Sequence, residues 1–359
     1  MGSLFKDMLN SGESLFRDAV VLSYDFQPKI MKYRENEQMR FAVAIRPLLQ
    51  GYSGKNLFVF GSPGIGKTTA CKHVLRELEE ETKEVVPIYI NCWKENTTFK
   101  IFTKMCEDLG FKFLQQKKTS ELFGLIKGKL NKSGVGAVFV FDEIDKLVDW
   151  DFLYTILEDV YRKAVFLITN DKERYDELDK RIRSRLGAEF LFFRQYSSIE
   201  VKGILEQRRE YGFVSGVWED DAFEKVVAKT EKAGDLRVGL YLMKEAGTLA
   251  EERSLRRIGI NQVDEAARKV DEFQIKEKGE LDEELVMTLE LVKINSGMKI
   301  GDLYEKYQEK GGQLSYRSFT RKIDKLKEGK FISTKVDRSG GGMTTIVDYG
   351  AEKTLGEFY

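Results

Sequence analysis

The sequence predicts an α/β domain with a parallel sheet, followed by an α-helical domain and a C-terminal winged helix-turn-helix domain. Three observations support this fold class. Short apolar, β-prone segments alternate with helical segments between residues 57 and 193, which is typical of a parallel sheet with helices on both faces. The hydrophobic pattern is helical throughout residues 197–270. The last section contains three short helical patterns and then two β-prone runs.

Each element is predicted from hydrophobic spacing and from the turn residues around it. In the first domain we expect five strands, at residues 57–60, 85–91, 135–141, 164–169 and 190–193. We expect its helices at residues 31 or 35 to 49, 67–81, 97–110, 119–132 and 151–161. The second domain should contain four helices, which begin near Ser197, Trp218, Asp235 and Asn261. The last domain should contain helices at residues 281–294, 300–310 and 315–328, and a hairpin of strands 331–336 and 344–349.

Composition and pattern also indicate the domain boundaries. The α/β domain is expected to cover residues 1–195, of which residues 1–20 form an arm whose structure the pattern does not define. The helical domain is expected at residues 196–275 and the winged-helix domain at residues 281–359. Residues 271–280 are highly charged and lack periodicity, so we expect a linker there.

The composition excludes several classes of protein. The 59 basic residues equal the 59 acidic residues in number, which excludes a globally basic nucleic-acid coat but allows a local basic patch. The three cysteines lack the spacing of a metal site or a disulfide framework, and a reducing compartment suits them. Because we find neither a long apolar run nor a signal peptide, we expect a soluble cytoplasmic protein without a membrane partner.

A phosphate-binding loop follows the first strand. Residues 61–68 fit the pattern G-x-x-x-x-G-K-[ST] and lie between a β-prone segment and a helix, the context that this motif requires. Glycines let backbone N–H groups close around phosphate oxygens, and the helix directs the positive end of its dipole at them. Lys67 would reach the β- and γ-phosphates, and Thr68 would help to hold Mg²⁺. The expected nucleotide contacts are Gly61, Ser62, Pro63, Gly64, Ile65, Gly66, Lys67, Thr68 and Thr69.

Two further strand ends carry polar residues that suit a nucleotide site. The apolar strand at 138–141 is followed by Asp142 and Glu143. Asp142 would help to hold Mg²⁺, and Glu143 would orient or activate the attacking water. The strand that ends at Thr169 is followed by Asn170, whose amide would polarise the γ-phosphate or position water. The alternative is that Asn170 only caps the following helix.

Together these motifs make the chain similar to the AAA+ ATPases, whose P-loop NTPase domain is followed by an α-helical lid. More narrowly, it resembles archaeal replication initiators of the origin-recognition-complex and cell-division-cycle type, which add a C-terminal winged helix. The stretches that carry the resemblance are residues 33–38, 61–69, 89–92, 141–147 and 178–186. The resemblance implies ATP or ADP with Mg²⁺ as cofactors, and slow, switch-like ATP hydrolysis.

The resemblance also implies roles for three arginines. Arg181 and Arg185 lie four residues apart, on one face of a helix, and would reach the nucleotide of a neighbouring subunit as arginine fingers. The alternative is a solvated basic helix. Residues 234–237 match the second-sensor motif, in which Asp235 caps a lid helix and Arg237 reaches the γ-phosphate. Here the alternative is a capped helix with a surface arginine. Asn170 corresponds to the first sensor.

Basic residues outnumber acidic ones between Lys310 and Arg338, which covers the predicted helix at 315–328 and the turn of the hairpin. A recognition helix in the major groove, with a Gly-rich wing along the backbone, would account for this excess. A winged helix that docks on another protein is the alternative. The expected DNA contacts are Tyr316, Arg317, Ser318, Thr320, Arg321, Lys322, Lys325 and Arg338.

We therefore hypothesise an ATP-dependent DNA replication initiator, associated with the nucleoid, that binds double-stranded origin DNA through its winged helix. ATP hydrolysis would act as a switch, and the expected partners are further copies or homologous initiators and the replicative helicase. Two alternatives remain. One is an archaeal regulatory or signalling P-loop ATPase with a winged helix, and the other is a clamp-loader-like AAA+ ATPase.

Overall fold

The computed structural model describes residues 14–277, 283–310, 312, 314–328, 332–337 and 344–349. The chain divides into two compact units, Met1–Arg268 and Lys269–Tyr359. The first unit contains both the α/β part and the helical part, which the sequence predicts as separate domains. The second unit contains the predicted winged helix.

A five-stranded parallel sheet forms the centre of the first unit. Its strands are β1 (Leu57–Phe60), β2 (Val85–Asn91), β3 (Gly136–Asp142), β4 (Lys163–Thr169) and β5 (Glu189–Phe192), in the order β2-β3-β4-β1-β5. Every residue of β3 is buried, as expected of a strand with helices on both faces. Because β1, β3 and β4 are parallel neighbours, the phosphate loop, Asp142 and Asn170 all follow strands at the same edge of the sheet.

Helices cover both faces of this sheet. They are α1 (Glu35–Leu49), α2 (Lys67–Glu81), α3 (Thr98–Asp108), α4 (Thr119–Ser133), α5 (Asp151–Asp159), α6 (Arg174–Glu177) and α7 (Lys180–Leu186). Successive residues of β3 point to opposite layers. Val138 packs in a buried cluster with α1 and α2, whereas Phe139 packs with α3, α4 and α5.

The helical part follows β5, and all of it except the end of its last helix lies in the first unit. Its helices are α8 (Ser198–Gly212), α9 (Asp220–Ala233), α10 (Leu236–Glu252) and α11 (Ile260–Glu277). Local capping determines where two of them begin. Ser197 and Glu200 form a reciprocal capping box at the start of α8. The side chain of Asp235 accepts a hydrogen bond from the N–H of Arg237 at the start of α10.

The first described residues pack on the helical part. The rings of Phe16 and Phe213 pack at an interplanar angle of 32°, with their centroids 4.8 Å apart. The backbone N–H groups of Arg17 and Asp18 both donate to the carbonyl of Gly212. A short 3₁₀ helix, Ala19–Leu22, follows. From Ser14 onward, the arm that the sequence left undefined is therefore an ordered layer on α8.

The second unit has the winged-helix fold that the sequence predicts. Its elements are α12 (Glu283–Ile294), β6 (Met298–Lys299), α13 (Ile300–Glu309), α14 (Tyr316–Glu328), β7 (Ile332–Asp337) and β8 (Thr344–Tyr349). The strands form an antiparallel sheet in the order β6-β8-β7. Phe319, Ile323 and Leu326 of α14 are buried against Leu303 and Val347, as their helical spacing predicts.

The short helix α6 and the 3₁₀ helices Ala19–Leu22 and Ile144–Lys146 were not predicted. Two further features differ from the sequence prediction, while the predicted elements lie where we expect them, with ends that shift by a few residues. The helix α11 continues to Glu277, through most of the segment 271–280 that we predicted as a linker. Glutamate, glutamine and lysine favour a helix even without an apolar repeat. The absence of apolar periodicity therefore did not indicate a linker in this segment. The strand β6 was missed because two residues leave no pattern. Across the described residues, no helix is long and apolar enough to cross a lipid bilayer.

Candidate functional site

The phosphate loop connects β1 to α2, and its shape requires glycine. Gly61, Gly64 and Gly66 have φ angles of 149°, 69° and 89°, which residues with a side chain rarely adopt. A Cβ atom on Gly64 would also overlap the carboxylate of Asp235 in the helical part. The loop therefore forms a concave backbone surface at the N-terminus of α2, where the helix dipole favours phosphate.

Lys67 is the first residue of α2, and only 7 % of its surface is exposed. Its ammonium group donates to the carbonyls of Gly61 at 2.7 Å and Ser62 at 2.8 Å, and to Asn170 Oδ1 at 2.8 Å. Burial lowers the pKa of Lys67 to about 8, although the nearby carboxylate of Asp142 opposes this shift. Lys67 and Asn170 belong to two separately predicted motifs, and this hydrogen bond brings them together at one site.

Asp142 ends β3 and is 2 % exposed. Its Oδ2 accepts hydrogen bonds from Thr68 Oγ1 at 2.6 Å and from the hydroxyl of Tyr89 at 2.7 Å. Its Oδ1 accepts a hydrogen bond from the N–H of Glu143 at 3.0 Å. Burial, and the adjacent Asp142, raise the pKa of Tyr89, which keeps its hydroxyl protonated. Sequence reasoning gave Tyr89 no role at the site, although it lies in the stretch 89–92 that carries the family resemblance.

The oxygen atoms of Thr68 and Asp142 form a donor set that fits Mg²⁺. Mg²⁺ usually binds one or two carboxylates together with nucleotide phosphates and water, rather than a cage of protein ligands. Within the described parts of the chain, no group of three or more His, Cys, Asp or Glu side chains is arranged to hold a metal ion. A cation at Thr68 and Asp142 would therefore depend on a phosphate ligand.

Glu143 follows Asp142 and lines the adjoining cavity. Its φ of 58° turns the chain sharply after the strand. Burial raises the pKa of Glu143, the neighbouring Asp142 raises it further, and a hydrogen bond with Asn91 opposes both. A carboxylate with a raised pKa accepts the proton of an attacking water more readily than an exposed one.

The cavity lies between the α/β part and the helical part. Besides the phosphate loop, it is lined by aromatic and apolar side chains, which suit a nucleobase. These are Tyr24, Phe26, Tyr196, Ile204 and Leu240. The sequence did not identify them, because three separate segments supply them without a shared pattern. The one available signal was the concentration of aromatic residues in the extended stretch 22–28.

Arg208 of α8 also lines the cavity and is 8 % exposed. It donates to the carbonyl of Val21 at 3.0 Å, and its guanidinium lies 4.8 Å from the ring centroid of Phe26. Burial lowers the pKa of Arg208 to about 10. These contacts attach the N-terminal segment to the helical part beside the cavity, a connection between residues almost 190 positions apart.

Arg34 is fully buried beneath the phosphate loop. Its guanidinium donates to the carbonyl of Ile65 at 3.1 Å and to that of Arg194 at 2.6 Å, and it pairs with Glu37 at 2.8 Å. It also stacks 3.9 Å from the ring centroid of Tyr196. The charge is therefore compensated, and Arg34 connects the phosphate loop to the segment that leads into α8.

Arg237 lies in the first turn of α10 and lines the cavity. Its guanidinium pairs with Asp235 at 2.6 Å and is about half exposed, at 53 %. Its charge contributes to the lowered pKa of Lys67, because both cations face the same space. Asp235 caps the helix as predicted, and the contact between Arg237 and a γ-phosphate stays a prediction.

Arg181 and Arg185 lie on α7 and are not among the residues that line the cavity. Arg181 pairs with Asp179 at 3.2 Å, and its side chain is 77 % exposed. Arg185 pairs with Glu158, and its guanidinium lies 4.9 Å from the ring centroid of Tyr154. Both positions allow a neighbouring molecule to reach these arginines, and that role stays a prediction.

The helix α14 presents several of the predicted DNA contacts on its outer side. Tyr316, Arg317 and Arg321 are exposed, and Ser318, Thr320 and Lys322 are partly exposed. The ring of Tyr316 packs against Tyr304 with centroids 5.1 Å apart, which restricts its motion. The side chain of Lys325 and the whole of Arg338 lie outside the described residues. DNA contact by any of these residues stays a prediction.

Comparisons with known proteins agree with this architecture. Residues 50–172 match the model of an AAA domain, and residues 202–268 match a Cdc6 AAA+ ATPase-type lid domain. The chain is 30 % identical to ORC1-type DNA replication protein 2 of Methanosarcina acetivorans, over 97 % of each chain. It is 29 % identical to ORC1-type DNA replication protein 3 of Haloarcula marismortui, also over 97 % of each. The structure of the Aeropyrum pernix ORC1 protein in complex with DNA is similar, with a TM-score of 0.71, 26 % identity and 95 % coverage of each chain.

Proposed function

Because the chain belongs to the family of ORC1-type DNA replication proteins, we propose that it is an ATP-dependent replication initiator that binds duplex origin DNA. The observation that carries this proposal is the cavity between the α/β part and the helical part. It is lined by the phosphate loop, Asp142, Asn170 and Arg237, residues from both sides that suit one nucleoside triphosphate.

In this proposal, the N–H groups of the phosphate loop bind the phosphates of ATP or ADP at the start of α2. The ammonium of Lys67, which contacts the carbonyls of Gly61 and Ser62, would bind the phosphate oxygens. Asn170 already contacts Lys67 and is placed to polarise the γ-phosphate or to orient water. Thr69 and the other loop residues shape the same cradle.

Thr68 and Asp142 would hold Mg²⁺, which would neutralise part of the phosphate charge. Glu143 would orient the attacking water and accept its proton. The family relationship supports ATPase activity as such. We propose that ATP hydrolysis is slow, because an initiator uses hydrolysis to change its state once rather than to drive repeated movement.

Arg237 would make hydrolysis a switch. With ATP, its guanidinium would contact the γ-phosphate. Hydrolysis would remove that contact and leave Arg237 paired with Asp235 on the same helix turn, a pair that the structure contains, so the helical part would lose its attachment to the nucleotide. The difference in free energy between these two states would set the position of the helical part and, through it, the recruitment of the replicative helicase or of further initiators.

We expect Arg181→Ala to lower ATP turnover of the assembled protein about tenfold and to leave ATP binding unchanged. A guanidinium from a neighbour stabilises transition-state charge. Arginine fingers elsewhere accelerate hydrolysis 10³-fold or more, and we expect a smaller acceleration here because the proposed ATPase is slow. Turnover should be measured over a range of protein concentrations. The control is Arg183→Ala on the same helix, whose side chain pairs with Asp176. Equal turnover in the two variants would contradict a role in trans.

Mapping of bound DNA in the native cell tests the proposed function. We expect one or a few sites near replication starts, and a variant with Arg317→Ala and Arg321→Ala should lose them. In vitro, this variant should bind duplex DNA about tenfold more weakly, with a salt dependence that is reduced by about two charges. Arg40→Ala with Arg253→Ala removes the same charge from the first unit as a control. Occupancy mainly at promoters would overturn the initiator proposal in favour of a regulator.

A further inference from the structure

We infer that Tyr89 is a positioning residue for the magnesium site, because its hydroxyl fixes the carboxylate of Asp142. This inference rests on the proposed function, since it assigns a role toward Mg²⁺-nucleotide. Tyr89 is not among the residues that line the cavity, so it would act through Asp142 rather than touch the nucleotide.

The register of the sheet brings Tyr89 to Asp142. In the parallel pair of β2 and β3, Asn91 lies beside Asp142 and Tyr89 lies beside Val140. Residues two apart share a face, so Tyr89 and Asp142 both point to the layer that α2 covers. From that position the phenol reaches the end of β3, where its hydroxyl donates to Asp142 Oδ2 at 2.7 Å.

The hydrogen bonds around Asp142 leave its carboxylate little freedom. Oδ2 accepts from both Tyr89 and Thr68, at 2.7 and 2.6 Å, and Oδ1 accepts from the N–H of Glu143 at 3.0 Å. Tyr89 is the donor that arrives from a neighbouring strand, and it opposes rotation of the carboxylate toward the loop. A fixed acceptor in turn fixes the proton of Thr68, which leaves the lone pairs of that hydroxyl for the cation.

Lys72 holds the phenol itself. Its ammonium, on the second turn of α2, lies 4.4 Å from the ring centroid of Tyr89, a distance typical of a cation–π contact. Lys72 also lines the cavity. The ring is therefore clamped between the sheet and the same helix that carries Thr68. Groups behind a metal ligand that fix its orientation commonly change metal affinity by tenfold or more.

Tyr89→Phe removes one oxygen atom and keeps the ring in its place, and Tyr304→Phe is the matched control. Tyr304 lies in the second unit and donates its hydroxyl to the carbonyl of Leu314 at 3.0 Å. Both full-length variants should be titrated with ADP, once with EDTA and once over a series of Mg²⁺ concentrations. We expect Tyr89→Phe to bind ADP with wild-type affinity in EDTA and to need about tenfold more Mg²⁺ for half of the magnesium-dependent gain in affinity.

Three other outcomes would count against the inference in distinguishable ways. If Tyr89→Phe needs the same Mg²⁺ concentration as the wild type and Tyr304→Phe, Tyr89 does not position the site. If its ADP affinity falls equally with and without Mg²⁺, the hydroxyl supports the fold of the cavity instead. If the wild type itself binds no ADP, the proposed function is wrong, and so is the inference that rests on it. Thermal unfolding of each variant shows that the compared proteins are folded.

Discussion

A Glu143→Gln variant is expected to bind ATP as tightly as the wild type and to hydrolyse it about 10²- to 10⁴-fold more slowly. Glutamine has nearly the same size as glutamate and can stay next to Asn91, but its amide cannot accept a proton from water. Burial and the adjacent Asp142 raise the pKa of Glu143, so the wild-type carboxylate is a stronger base than an exposed one. Equilibrium binding of ATP and single-turnover hydrolysis measure the two parts of this expectation separately.

Asp145→Asn is the matched control for this experiment. Asp145 lies two residues further along the chain and pairs with Lys146 at 3.3 Å. Its replacement removes a minor contribution to the raised pKa of Glu143 and leaves the proposed base in place. We expect its turnover to stay within a few-fold of the wild type. Wild-type turnover in Glu143→Gln would remove Glu143 as the base, and a loss of ATP affinity would assign it to binding.

The parts of the site that the sequence predicted are those that a local pattern encodes. The phosphate loop has a fixed spacing of glycines before Lys67, and β3 is an uninterrupted apolar run that ends in Asp142. Parallel strand order then brings loop, Asp142 and Asn170 to one edge without any further information. The cap at Asp235, which the family resemblance implied, is also confirmed, because an N-cap needs only its own side chain and the following N–H groups.

The parts that the sequence did not predict depend on contacts between distant segments. Arg34 is a charged residue in a helical context and would be expected at the surface, yet it is fully buried because Ile65 and Arg194 offer their carbonyls. Phe16 gives no periodic signal, and its partner Phe213 lies in another part of the chain. The hydroxyl of Tyr89 reaches Asp142 only because β2 pairs with β3.

Lys67→Ala is expected to weaken binding of both ATP and ADP by about 100-fold or more, equivalent to roughly two charge-assisted hydrogen bonds. The ammonium contacts the carbonyls of Gly61 and Ser62 and Oδ1 of Asn170 at 2.7 to 2.8 Å, which places it inside the phosphate loop. Burial has lowered its pKa to about 8, which shows that holding this charge opposes folding. The variant should therefore unfold at nearly the wild-type temperature without nucleotide, and it should lose the stabilisation that ADP with Mg²⁺ gives the wild type.

Lys72→Ala is the control for this variant, because Lys72 also lines the cavity and lies one turn further along α2. Its ammonium faces the ring of Tyr89 and has no place in the phosphate cradle. We expect Lys72→Ala to keep ADP affinity in EDTA within a few-fold of the wild type, and to keep the thermal shift that ADP gives in EDTA. Equal losses in both lysine variants would mean that the overall positive charge of the cavity attracts the nucleotide. A loss confined to Lys67→Ala would assign binding to one ammonium, whose position the carbonyls of Gly61 and Ser62 fix.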